Sequence, residues 1–290
     1  MAKCIAVANQ KGGVGKTTTA VNLAASLSHY GQKVLLIDLD PQANATSGLG
    51  VDKRKVELSA YDVLLEGKSL AHVVRKTAVE NLELVASSID LTGAEVEMVN
   101  LEGREQILKR EIEKFSSGYD YIFLDCPPSL GLITLNGLCA SQTVLIPIQC
   151  EYYAMEGLSQ LVETVFRVKQ SFNPALEIEG VLFTMYDSRI KLANDVIGEV
   201  RKVFRDKVYQ TMIPRNVRLA ESPGFGKPAL HYDFSSKGAQ SYLQFGREFL
   251  KRNGLVIDEK AAGAIHESPV QPIPSEIESE EENAEAPINA

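Results

Sequence analysis

Residues 4–18 read Cys-Ile-Ala-Val-Ala-Asn-Gln-Lys-Gly-Gly-Val-Gly-Lys-Thr-Thr. The apolar run 4–8 has the length and continuity of a strand buried on both faces. Residues 16–30 carry a helical pattern. Between them lies Lys11-Gly12-Gly13-Val14-Gly15-Lys16-Thr17-Thr18. Strand, glycine-rich turn and helix start form the context in which a backbone closes around phosphate. The glycines let successive N–H groups turn inward on an anion. The helix start adds unsatisfied N–H groups and the positive end of its dipole. In such a loop Lys16 brings its charge to the β- and γ-phosphates of a nucleotide, and Thr17 offers a hydroxyl to Mg2+. A glycine turn without a ligand is the plain alternative, and the flanking strand and helix argue against it.

The same alternation continues outward. KVLLIDLD (33–40), LELVAS (82–87), YDYIFLD (119–125), TVLIPIQ (143–149) and EGVLFTM (179–185) read as strands. Helical patterns at 102–116, 133–140, 154–171, 191–205 and 236–252 separate or follow them. Continuous apolar strands alternating with helices predict a doubly wound α/β domain with a mainly parallel sheet. We place this domain at residues 1–257. Residues 262–290 are rich in Pro, Glu, Ser and Ala, too polar to build a core, and read as part of a disordered acidic tail, 258–290.

The formal charge of −8 argues at first against a nucleic-acid partner. Its distribution changes that reading. Residues 258–290 hold nine acids and one base, so the remainder is neutral. Within that remainder, 187–257 carries 13 bases and seven acids, a net of +6. Such asymmetry points to an electrostatic partner. The four cysteines form no CxxC pair, a usage that fits a cytoplasmic protein rather than a disulfide framework. The polar, glycine-rich turn after residue 8 does not fit a signal peptide, and no run approaches the ~20 apolar residues of a membrane helix.

Carboxylates close two of the strands. Asp125 ends YDYIFLD, the pattern of an acid that holds Mg2+ beside a phosphate loop. Asp38 and Asp40 end VLLIDLD; alternation sends both to one face at the edge where ligands of open α/β sheets bind.

One departure makes the loop specific. The standard GxxxxGK[ST] pattern wants glycine at position 10; this chain has Gln10, with Lys11 beside it. KGGVGKTT is the deviant Walker A motif, and with DLDPQANATSGLG, DCPPSLG, IQCEYYAMEGLSQL and IPRNVRLAESPGFGKPALHYD the chain resembles the ParA/Soj family of P-loop ATPases from about residue 3 to 252. The resemblance implies ATP and Mg2+ as cofactors, and an ATP-dependent homodimer in which Lys11 reaches the partner's nucleotide. It implies that Asp40 orients the attacking water, and that Asp38 sits in the outer shell of a Mg2+ held by Thr17 and Asp125. Pro214, Arg215 and Asn216 would lie at the adenine. Arg189 and Arg218 would contact DNA without sequence preference. The implied function is partitioning of chromosome or plasmid DNA at the nucleoid, with a ParB-type centromere-binding protein as partner. Two alternatives remain in view. A MinD-like membrane-cycling regulator would carry a basic amphipathic C-terminal helix, where this chain ends acidic. A switch acting on a replication or sporulation protein is not separable by sequence.

Overall fold

The computed structural model describes residues 2–151 and 154–255. The acidic segment 258–290 lies outside the described residues. Seven strands form one sheet: β1 (Lys3–Val7), β2 (Val34–Asp38), β3 (Val74–Lys76), β4 (Leu82–Val85), β5 (Tyr121–Asp125), β6 (Thr143–Gln149) and β7 (Glu177–Thr184). Their order is β3-β4-β2-β5-β1-β6-β7, and all neighbours are parallel except β3 with β4. The longer helices are α1 (Lys16–His29), with α2 (Asn44–Gly48), α3 (Ala60–Leu64), α4 (Leu70–Val73) and α5 (Leu91–Glu97) short, then α6 (Ile107–Phe115), α7 (Leu132–Ala140), α8 (Ala154–Ser171) and α9 (Lys191–Phe204). Two more short helices, α10 (Val217–Glu221) and α11 (Ala229–Tyr232), precede α12 (Lys237–Arg252).

The six apolar runs are the six parallel strands. β3 is the one strand the pattern did not predict. Val74-Arg75-Lys76 has a single apolar residue, and its extended form comes from pairing with β4 at the sheet edge. Residues 102–116 were expected to be one helix; the α-helix begins only at Ile107, after a 3-10 turn over Arg104–Gln106.

Side-chain alternation builds a core on each face of the sheet. Cys4, Ala6, Leu35, Ile37, Ile122 and Leu124 belong to one apolar cluster, with residues of α3 through α9. Ile5, Val7, Val34, Leu36, Tyr121 and Phe123 belong to the other, with Ala20, Leu23, Ala24 and Leu27 of α1 and Tyr242, Phe245 and Phe249 of α12. The spacing, i, i+3, i+4, i+7 on α1 and i, i+3, i+7 on α12, is what lets one stripe of each cover the sheet.

That parity positions the chemistry. Val34 and Leu36 of β2 face α1, so Asp38, two residues further, faces α1 as well. Tyr121 and Phe123 of β5 place Asp125 on the same face. Asp38 and Asp125 are register partners in adjacent strands, and Val7, at the end of β1, is the partner of Asp125 on its other side. Two carboxylates therefore meet in front of the helix that follows the glycine-rich loop.

Candidate nucleotide-binding and catalytic site

The loop is braced before any ligand enters it. Gly13 and Gly15 have φ of +74° and +85°, values at which a side chain would be strained. The Asn9 amide donates to the carbonyl oxygen of Pro147 at 2.8 Å, while its side-chain oxygen accepts the Lys11 N–H at 2.9 Å. The Thr184 hydroxyl donates to the Val14 carbonyl at 2.7 Å. Gly15 caps α1 with no side-chain hydrogen bond, and the first turn holds no acid. The N–H groups of that turn are thus left for an anion. Lys16 is buried at 7% exposure, and its ammonium donates to the Lys11 carbonyl at 3.3 Å. Burial pulls its pKa down, against the opposing pull of Asp125 and Asp40.

Asp38 and Asp125 are both 0% exposed. They differ in what surrounds them. Asp38 accepts from the Thr46 N–H at 2.8 Å, the Thr46 hydroxyl at 2.7 Å and the Asp40 N–H at 3.1 Å. Burial still raises its pKa to about 6, with those hydrogen bonds opposing. Neither carboxylate oxygen of Asp125 has a hydrogen-bond partner of normal geometry. Its pKa is raised well above the usual range by burial and then by Asp38, while the nearby Thr17 hydroxyl and Lys16 act in the opposite direction. A buried, unpartnered carboxylate costs several kcal/mol unless a cation answers it. Among the described residues no group of three or more His, Cys, Asp or Glu is arranged as a metal cage. The donor set here, one hydroxyl and an orphaned carboxylate under a phosphate loop, fits Mg2+, which keeps several waters and takes phosphate oxygens as ligands.

Asp40 lies just beyond β2 rather than on it. The strand ends at Asp38, so alternation does not place Asp40. Its position comes from hydrogen bonds: its N–H to Asp38, its carbonyl accepting the Ser87 hydroxyl at 2.6 Å, and its side chain accepting the Gln42 N–H at 2.9 Å. Asp40 is 8% exposed, and its carboxylate is close enough to Lys16 to act on its pKa. Thr46 and Ser87, which hold this arrangement, were not singled out from the sequence. Neither stands out there: Thr46 lies among Asn44, Ser47 and Gly48, and Ser87 beside Ser88.

Pro214, Arg215 and Asn216 come to the loop through β7. The Tyr186 N–H donates to the Ile213 carbonyl, and the Arg215 N–H to the Tyr186 carbonyl. Together with Gly15, Thr18 and Met185 they line a cavity of about 210 Å³. The Asn216 side-chain oxygen caps α10 by accepting the Arg218 N–H at 3.0 Å. Its NH2 group makes no hydrogen bond among the described residues.

Three predicted cations are held by acids of the same chain. Lys11 pairs with Glu151 at 2.5 Å. Arg189 makes a forked pair with Asp187, at 2.8 and 2.6 Å. That pair holds the Asp187 carboxyl down at about 2. Arg218 pairs with Glu221 at 2.8 Å and Asp233 at 3.2 Å. All four pairs lie at the surface, and such pairs contribute about 0–1 kcal/mol, little resistance to exchange for a phosphate. The backbone pairing of Tyr186 with Pro214 brings the Arg189 and Arg218 segments to the same edge of the sheet as the loop.

A braced loop after β1, an uncapped α1, a buried lysine and paired carboxylates at the ends of β2 and β5 define a P-loop ATPase. Comparison with known proteins narrows this. Residues 2–178 match a family described as an AAA domain. The sporulation initiation inhibitor protein Soj of Bacillus subtilis (strain 168) is 56% identical over 248 residues, covering 86% of this chain and 98% of that protein. The chromosome partitioning protein ParA of Myxococcus xanthus is 52% identical over 251 residues, covering 87% and 89%. Among solved structures, cobyrinic acid a,c-diamide synthase from Mycobacterium smegmatis with bound ADP and magnesium has a TM-score of 0.75 at 38% identity, covering 89% of this chain and 98% of that one. A putative plasmid partition protein from Borrelia burgdorferi bound to AMPPNP has a TM-score of 0.72 at 28% identity, covering 87% and 100%. The chain belongs to the ParA/Soj family of chromosome-partitioning ATPases. No helix among the described residues is long and apolar enough to cross a membrane.

Proposed function

We propose that this chain partitions chromosome or plasmid DNA through a cycle in which ATP binding permits dimerisation and non-specific DNA binding, and hydrolysis ends both. The observation that carries the hydrolytic site is the Asp125 carboxylate, buried and unpartnered below an uncapped helix start. In this reading the N–H groups of residues 12–18 and the Lys16 ammonium hold the phosphates. Pro214, Arg215 and Asn216 bound the adenine. Thr17 and Asp125 hold Mg2+, with Asp38 behind them; bound Mg2+ neutralises charge on the phosphoryl oxygens. Asp40, fixed by Asp38 and Ser87, orients the water for in-line attack. Lys11 leaves Glu151 and stabilises phosphoryl charge on the partner's nucleotide, as a cation supplied in trans does. Arg189 and Arg218 meet DNA phosphates, and the partner that stimulates hydrolysis is a ParB-type centromere-binding protein. The working place of the cycle is the cytoplasm, on the nucleoid.

The test is Asp40→Ala. It leaves the loop residues in place and removes the group that orients water, along with one hydrogen bond from the Gln42 N–H. Light scattering with ATP should show a lasting dimer, with phosphate release at least 100-fold slower, within the range of general-base contributions. A variant that remains monomeric with ATP bound contradicts the assignment. The name of the Bacillus relative, a sporulation initiation inhibitor, favours a second reading in which the same ATP cycle switches a regulatory protein. Under that reading DNA binding is dispensable for the cellular effect.

A further inference from the structure

A second cationic site lies at the opposite edge of the sheet from the nucleotide. Asn253, just after α12, contacts Lys3 at the start of β1 and Glu179 near the start of β7, which places the end of α12 at the N-terminal edge. Ligands of open α/β sheets bind at the other edge. Here the last turn of α12 and the segment after α9 enclose a cavity of about 690 Å³, lined by Arg201, Arg205, Asp206, Tyr209, Gln210 and Arg252, with Val208 at its wall.

The three arginines play different parts. Arg252 is fixed. Its guanidinium lies 4.1 Å from the Tyr209 ring centroid and donates to the carbonyl oxygens of Asp206 at 2.9 Å and Val208 at 2.7 Å, and to Glu248 at 2.7 Å. Arg201 and Arg205 are exposed and make no ion pair or side-chain hydrogen bond among the described residues. Arg205 also has φ +48° and ψ −116°, a conformation that glycine takes readily and arginine does not. A strained backbone under a charged side chain is the kind of outlier that points to function. Asp206 is the one carboxylate on the wall, so the cleft is cationic in net charge.

We propose that this cleft is a second phosphate-binding site, which takes a phosphate ester through the free forks of Arg201 and Arg205 over the fixed Arg252. Guanidinium forks match phosphate oxygens two at a time. The volume is many times that of a bare ion and leaves room for the group the phosphate carries. Tyr209 offers a base no free face on which to stack. One face of Tyr209 is covered by Arg252, and its ring packs edge-on to Phe245 at 4.7 Å. Recognition is therefore through the guanidinium charges rather than by stacking. The ester could belong to a DNA backbone or to a free nucleotide-like molecule.

Two measurements separate these sources. Pyrophosphate titrated by calorimetry into the full-length protein already saturated with ADP reports the cleft without DNA, independently of the DNA-binding reading above. Duplex DNA titrated across a salt series with ATP-loaded protein reports the backbone. The variants are Arg201→Gln with Arg205→Gln, and Arg205→Gly, which removes the cation and relaxes the backbone. Basal ATP hydrolysis should stay at the wild-type value in both variants; the melting temperature should stay there in the double variant and rise in Arg205→Gly. Pyrophosphate affinity should fall at least tenfold in the double variant. If the source is DNA, the slope of log K against log salt should become shallower by about 0.9 per lost phosphate contact, about 3.6 for two arginines in each half of a dimer. Loss in the DNA arm, with or without the pyrophosphate arm, assigns the backbone; loss with pyrophosphate alone assigns a free phosphate ester. Identical isotherms and identical salt curves for wild type and variants overturn the proposal.

Discussion

Replacing Asp125 by asparagine should make the nucleotide-free protein more stable while disabling its site. Both carboxylate oxygens are buried without a hydrogen-bond partner, beside a second buried carboxylate. Leaving a buried polar group unsatisfied costs about 1–3 kcal/mol, and more when it is charged. Asparagine has nearly the same shape and no charge, so Asp125→Asn should gain roughly 2 kcal/mol. For a domain of this size that is a rise of about 4–8 °C in melting temperature. The sign of the pH dependence follows from the direction of the shift. A carboxyl whose folded pKa is raised destabilises the fold only above its unfolded pKa, and the penalty disappears as pH falls through the range between the two. The Asp125 shift is upward. The gain should therefore be largest near pH 8 and shrink toward pH 5. With Mg2+ and ATP the order should reverse. Ligand at 100 times its Kd stabilises wild type by about 2.7 kcal/mol, and the variant should gain less. Differential scanning fluorimetry at pH 8, 6.5 and 5, with EDTA or with Mg2+ and ATP, measures all of this. A variant less stable than wild type at every pH, or a gain that does not change with pH, would refute the account of Asp125 as an anion waiting for a cation.

Lys16→Ala should abolish ATP binding, because the buried ammonium is the charge nearest the phosphates, whereas Lys11→Ala should bind ATP and fail to dimerise or hydrolyse; equilibrium dialysis with labelled ATP distinguishes them, and equal loss of binding contradicts the trans role of Lys11. A Cβ added at Gly12 meets nothing within 4 Å inside the chain, so Gly12→Val should fold and bind ATP yet remain monomeric, since the new side chain obstructs only what approaches from outside; light scattering that shows a normal dimer would remove this argument. Arg189→Ala and Arg218→Ala should leave ATP binding intact and each flatten the salt dependence of DNA binding by about two units per dimer, read by fluorescence anisotropy.

Much of this site is written locally. The run from Cys4 to Thr18 states a strand, a turn that needs glycine and a helix start, and each of these follows from residues within a few positions of one another. Asp125 is equally legible, because a strand buried on both faces has to end somewhere and its acid stands out. The six parallel strands were readable for the same reason: each is a short apolar run with its own boundaries. What lay beyond the sequence are contacts between residues far apart in the chain. No local pattern says that β5 enters between β2 and β1, yet that insertion makes Asp38 and Asp125 register partners, so that Asp38 adds to burial in raising the Asp125 pKa. No pattern separates the Asp38 carboxylate, hydrogen-bonded by Thr46, from the Asp125 carboxylate, whose oxygens have no hydrogen-bond partner. Asp40 was expected on the strand and stands just beyond it, placed by Ser87 from another connection. Val74–Lys76 became a strand only because an edge was free to pair, and Arg201, Arg205 and Arg252 became one cleft only because α12 ends against the segment after α9. Periodicity reports which side chains must leave water; which polar groups then meet in the space they create is settled by the order in which the strands assemble.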